Sequence, residues 1–94
     1  MLTLTEAAGV RLTEKLVKKN AGKDVALRFI REGEPQRWTL QFDKHGPADV
    51  TFLHAGRIVL VLDEKSSHLL RNRMLDMRDT DEGPRLRLRG TPST

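Results

Sequence analysis

Cysteine is absent from all 94 residues, which excludes disulfides, thiolate metal sites, cysteine nucleophiles and thiol redox switching together. Tyrosine is also absent, and three Phe and one Trp are the whole aromatic complement. A platform of stacked rings for single-stranded nucleic acid has no material to be built from. No apolar run approaches the roughly 20 residues that a membrane-spanning helix needs. The start, Met1-Leu2-Thr3-Leu4-Thr5-Glu6, carries neither the basic segment nor the long apolar stretch of a secretory signal, so a cytoplasmic location is the expectation.

What is present points to one ordered domain. Apolar residues make up 37% and, with the seven glycines, reach the low edge of the globular range; charged residues are 32%, with both signs interspersed. A chain of this length builds a single core, so residues 1–94 are expected to form one domain, with 1–4 and 90–94 fraying at its ends. The formal charge of +4 favours acidic partners, but a balance of that size tunes solubility and encounter rate more than it names a ligand.

Thr5 is placed to cap a helix that ends before Gly22. At 100° per residue Val10, Leu12, Thr13, Leu16 and Val17 share one face, and Arg11, Glu14, Lys15 and Lys18 the other. Period-two alternation predicts a strand over 25–30, with Val25, Leu27 and Phe29 inward, and a second over 37–42, with Trp38, Leu40 and Phe42 inward. The breaker-rich Glu32-Gly33-Glu34-Pro35 between them predicts a hairpin. Two further strands, 50–54 and 57–62, flank Ala55-Gly56, and the unbroken apolar run Ile58–Leu62 belongs to a strand covered on both faces. Asp63 is read as the cap of a short helix carrying Leu69 and Leu70. Leu75 and Met77 mark another strand, and 79–84 a turn. The last strand, 85–89, sets Leu86 and Leu88 against Arg85, Arg87 and Arg89.

This order of elements resembles the HesB-like family of A-type iron-sulfur carriers. In that family a central apolar strand leads to an Asp, a Ser three residues on, a Leu four beyond it, a Gly, and an apolar-Asp-apolar triplet. Asp63, Ser66, Leu70, Asn72 and Leu75-Asp76-Met77 stand at those spacings, with Asn72 serving for Gly in a left-handed conformation. The Gly-Pro of Gly83-Pro84 followed by Leu86-Arg87-Leu88 resembles the family's closing strand. Asp49, Phe52 and Gly56 match its Asp-x-x-Phe-x-x-x-Gly hairpin, Thr5 its helix cap and Leu27-Arg28 its first strand, although the stretch from Gly56 to Asp63 is one residue longer. The resemblance runs from about Leu2 to Arg89.

The departures concern chemistry. Family carriers place one cysteine in the loop between the first two strands and two in a C-terminal Cys-Gly-Cys, where soft thiolates hold iron in a cluster. All three are missing here. Counted back from Trp38 the loop position falls on Gly33, and counted forward from Leu27 it falls near Gln36, so the loop is shortened by about three residues. Thr91-Pro92-Ser93-Thr94 stands in the region of the C-terminal pair. No cluster ligand is carried over.

Other chemistry is thinly represented. His45, His54 and His68 lack the spacing of a recognised metal motif and are read as structural or solvated, with hard-ligand iron or zinc binding by His and carboxylates as the third-ranked function. Asp63, Ser66 and His68 have the residue types of a hydrolase triad but crowd one helix start, where capping explains the first two. Two basic surfaces are the partner-binding candidates: Arg11, Lys15 and Lys18 on the helix, and Arg85, Arg87 and Arg89 on the last strand, in part neutralised by Asp79, Asp81 and Glu82.

The expectation is therefore an α+β, mainly β, HesB-like fold of six or seven short strands in mixed sheets with two helices. No catalytic, cofactor-binding or metal residue is assigned. The expected role is non-enzymatic, in protein interaction or regulation, and the resemblance implies iron-sulfur assembly components as partners. The second reading is a small basic module for nucleic acid or an acidic protein. Open strand edges would also support a homodimer.

Overall fold

The architecture follows from one amphipathic helix and two hairpins, seen in a computed structural model that describes residues 2–35 and 37–90. Met1, Gln36 and residues 91–94, including the Thr-Pro-Ser-Thr segment, lie outside the described residues.

Strand β1 (Thr3–Leu4) leads into helix α1 (Glu6–Lys18). Thr5 is its N-cap: the backbone is extended and the hydroxyl accepts the Ala8 amide at 3.2 Å. Glu6 in the first turn and Lys15 and Lys18 in the last complement the helix dipole. Strands β2 (Val25–Glu32) and β3 (Arg37–Lys44) pair antiparallel in register from Val25↔Lys44 to Glu32↔Arg37. Strands β4 (Val50–His54) and β5 (Arg57–Leu62) form the second hairpin. Its two-residue turn takes positive φ at both Ala55 (51°) and Gly56 (81°), the handedness that matches the twist of the flanking strands. Helix α2 (Glu64–Leu69) starts at the Asp63 cap, and β6 (Arg73–Thr80) and β7 (Gly83–Gly90) close the chain.

The strands form two mixed sheets, one ordered β3-β2-β5-β4 and one β1-β6-β7. β5 runs parallel to β2, and β1 parallel to β6. The fold class is the expected one, with two helices and seven strands among the described residues. Both helices pack on β5, whose Val59, Leu60, Val61 and Leu62 are fully buried, as an unbroken apolar strand requires. Leu12 and Leu16 of α1 join Leu27, Phe29, Leu60 and Leu75 in the core cluster. Each such side chain, fully buried, is worth roughly 2 kcal/mol relative to exposure.

Three expectations are corrected. The buried face of α1 is Ala8, Gly9, Leu12 and Leu16, while Val10 and Val17 are 42% and 64% exposed. Small residues at 8 and 9 let the helix lie close to the sheet, and this turns the two valines outward. The aromatic stripe of β3 is only half covered, because β3 is an edge strand: Trp38 meets Phe29 edge to face at 6.0 Å, whereas Phe42 is 41% exposed beneath the Lys19 ammonium. The chain does not fray at residues 2–4: Leu2 is buried, and Thr3 and Leu4 pair with Met74 and Leu75. At the other end Gly90 still pairs with Arg73.

Candidate functional site

The residues that carry the family resemblance hold the fold together. Asp49 receives both terminal nitrogens of Arg28, at 3.0 and 2.6 Å, and the Gly46 amide at 2.7 Å. Arg28 Nε reaches Asp43 at 2.8 Å, so one partly buried guanidinium ties β2 to the end of β3 and to the loop before β4. Arg28 first, and the Gly46 amide second, hold the Asp49 carboxyl below its ordinary range; Asp49 in turn raises the Arg28 pKa. Asp63 accepts the Ser66 amide at 2.6 Å, and that amide, followed by the Ser66 hydroxyl, lowers the Asp63 pKa. Asp76 accepts the Met77 amide at 2.8 Å and the Thr5 hydroxyl at 3.0 Å, and these two contacts lower its pKa. Thr5 and Asp76 thus fasten the helix cap to the second sheet. Asn72 has the left-handed φ of 63° that its place in the pattern asks for.

The positions that would carry cluster ligands do not fit a cluster. The loop between β2 and β3 presents Gly33, Glu34 and Pro35, all exposed, and no thiolate exists anywhere in the sequence. The histidines lie apart in role. His54 packs its ring on Gly9, with Nε2 3.9 Å from Glu6; His68 lies against Arg71 at 3.3 Å; the His45 amide donates to the Asp24 carbonyl at 3.3 Å. Among the described residues no three His, Asp or Glu converge to hold a metal ion. Asp63 and Ser66 are engaged in capping, while the His68 ring turns to Arg71, so no triad geometry arises.

The two basic surfaces, by contrast, meet. Arg11 and Lys15 of α1 and Arg85 of β7 line a groove of about 380 Å³, together with Glu82 and the apolar Leu40 and Leu86. The groove continues over Lys18, Lys19 and Phe42, with Arg11 and Lys15 common to both parts. Neutralisation is partial and comes from unexpected partners. Glu82 pairs with Arg85 and Glu14 lies 3.8 Å from Arg11, but Arg89 is met by Asp76 at 3.1 Å rather than by Asp79 or Asp81. Arg87 makes no ion pair among the described residues.

Sequence reasoning missed Arg78. The β6–β7 register sets Asp76 opposite Arg87 and Arg78 opposite Arg85, so Arg78, Arg85, Arg87 and Arg89 share one face of the ribbon. Like charges directly opposite each other are unfavourable. The signal was available, since Arg78 follows Asp76 at the outward period of a strand whose inward residues are Leu75 and Met77. Lys19 stands in the sequence only as a C-terminal helix charge, and its place over Phe42 becomes visible once β3 lies beside α1.

No protein-family model matches the sequence, and no curated protein matches it. Solved structures do. Escherichia coli SufA, involved in biosynthesis of iron-sulfur clusters, superposes with a TM-score of 0.75 at 19% identity over 95% of this chain and 84% of its own. IscA with the 2Fe-2S cluster superposes with a TM-score of 0.63 at 18% identity, over 96% of this chain and 85% of its own. The chain therefore has the HesB-like fold of SufA and IscA, built on a sequence with no cysteine to ligate a cluster.

Proposed function

We propose that this protein is a non-enzymatic interaction domain related to iron-sulfur assembly, in which the carrier scaffold serves to contact a protein partner instead of holding a cluster through thiolates. One observation carries the reading. The residues matched to the carrier pattern, Thr5, Arg28, Asp49, Asp63, Asn72 and Asp76, all secure helix starts, loops or sheet joins, and the pattern's ligand positions carry none. A scaffold kept by its fastening residues and stripped of soft ligands is suited to presenting a surface. Its regulatory use follows from such a contact.

Affinity purification of the tagged protein, with and without nuclease, tests this. Nuclease-resistant recovery of cluster-assembly or cluster-containing proteins is the expected result. Recovery of no protein at all would overturn the reading.

The second reading, a basic module for nucleic acid, draws on the four guanidiniums of the β6–β7 face. It predicts recovery that is lost on nuclease treatment and falls steeply with salt.

A further inference from the structure

The second sheet ends at β7, whose outer edge pairs with no strand among the described residues. Open edges of this kind accept extended segments, because one row of backbone N–H and C=O groups has no ladder partner. Beside the start of β7 the edge is uncovered: the groove between Pro84–Leu86, α1 and Leu40 of β3 leaves about 380 Å³ of space there.

The two faces of β7 differ in chemistry. Arg85, Arg87 and Arg89 point to the outer face and are exposed, while Leu86 and Leu88 point inward and are half-buried against the core. An added strand would alternate in the same way. Every second side chain would lie beside the arginines, and the intervening ones beside Leu86 and Leu88. Carboxylates suit the first row, and small or branched apolar groups the second. At the groove end, Arg11 and Lys15 extend the positive field past the strand itself.

The same charges select against a second copy of this chain. Two β7 edges side by side would bring arginine next to arginine, and a like-charged row is the usual device by which an edge avoids itself. A nucleic acid strand would satisfy the guanidiniums but would add no apolar cover to the half-buried Leu86–Leu88 row.

Resting on the protein-interaction reading above, we propose that the β7 edge recruits an extended segment of a partner protein in which acidic residues alternate with apolar ones, added as a further strand to the β1-β6-β7 sheet. Arg87 is its central anchor, since it makes no ion pair among the described residues, whereas Arg85 and Arg89 must share theirs with Glu82 and Asp76.

The test uses the whole chain and synthetic peptides. A peptide alternating Glu and Val is compared with one of identical composition whose Glu and Val are grouped in blocks, and with an alternating Lys and Val peptide. Binding is followed by calorimetry and by amide hydrogen exchange. The alternating acidic peptide is expected to bind roughly 10-fold more tightly than the block peptide. It should slow exchange at β7 amides and lose roughly 10-fold in affinity on Arg87→Glu, a surface change whose fold is checked by circular dichroism. Equal binding of alternating and block peptides would overturn the strand mode, as would an oligodeoxynucleotide that binds the face more tightly than the peptide. Protection confined to β3 or β4 would overturn it too. If affinity purification recovers a protein partner while all peptides fail, this inference falls and the interaction reading stands; if no protein is recovered, the reading itself falls.

Discussion

Asp49 and Arg28 show how one ion pair fixes a long connection. Their side chains are 12% and 17% exposed, and removing Asp49 leaves the partly buried Arg28 guanidinium with Asp43 as its one remaining carboxylate. Asp49→Ala is expected to cost roughly 2 kcal/mol in chemical denaturation, and Asp49→Asn most of that, since the charge rather than the shape is lost. The carboxyls of Asp49, Asp63 and Asp76 all titrate below their ordinary 3.8 in the folded state. A group whose folded pKa is depressed stabilises the fold above its unfolded value and loses that contribution as pH falls through the folded one. Stability should therefore be level above about pH 5 and fall through pH 4 and below, and Asp49→Asn should flatten that fall. A melting temperature that does not respond to pH between about 3 and 5 would contradict this. The capping roles of Thr5 and Asp63 were legible because a hydroxyl or carboxylate ahead of an apolar run has a local reason to be there. The Arg28–Asp49 bridge was not: both residues match the family pattern, but nothing in a separation of 21 positions shows that they meet.

At the scale of elements, the packing of α1 is decided by the residue with the smallest side chain. A Cβ at Gly9 would sit 2.5 Å from His54 Nδ1, so the helix backbone rests directly on the His54 side chain of β4. In an exposed helix Gly→Ala stabilises by about 1 kcal/mol; here Gly9→Ala should destabilise by roughly 1 to 3 kcal/mol through overpacking. Adding His54→Ala should recover part of that loss, and a double-mutant cycle in thermal denaturation would read the coupling. Strict additivity would mean that the close approach carries no weight. The same contact explains which part of the helix was misread. Hydrophobicity weights Val10 and Val17 above Ala8 and Gly9, but close approach to a sheet favours the small pair. The strands were legible where alternation or an apolar run extended for several residues, as in β2, β5 and β7. The two residues of β1 are too few to alternate, and their pairing with β6 depends on a neighbour 71 positions away, as the Thr5–Asp76 hydrogen bond makes plain. The basic groove was half legible: each charged face followed from its own period, but their meeting at Arg11, Lys15 and Arg85 required the tertiary fold to bring α1, β3 and β7 around one groove.

For the whole molecule, a carrier-like fold is built on a sequence without cysteine. The fold is shared with SufA and IscA at 19% and 18% identity, and the residues that resemble the family pattern are ones that fasten this fold. No helix is long and apolar enough to cross a membrane among the described residues. The proposed function has this scaffold working without any bound iron-sulfur cluster. Anaerobic reconstitution with iron and sulfide, followed by desalting and by iron, sulfide and visible-absorption measurements, is the decisive experiment. Neither iron nor sulfide should stay with the protein, and its thermal unfolding should be the same before and after treatment. Retention of a stoichiometric, coloured cluster would contradict it, because histidines and carboxylates would then be doing what the missing cysteines do in the resembled family.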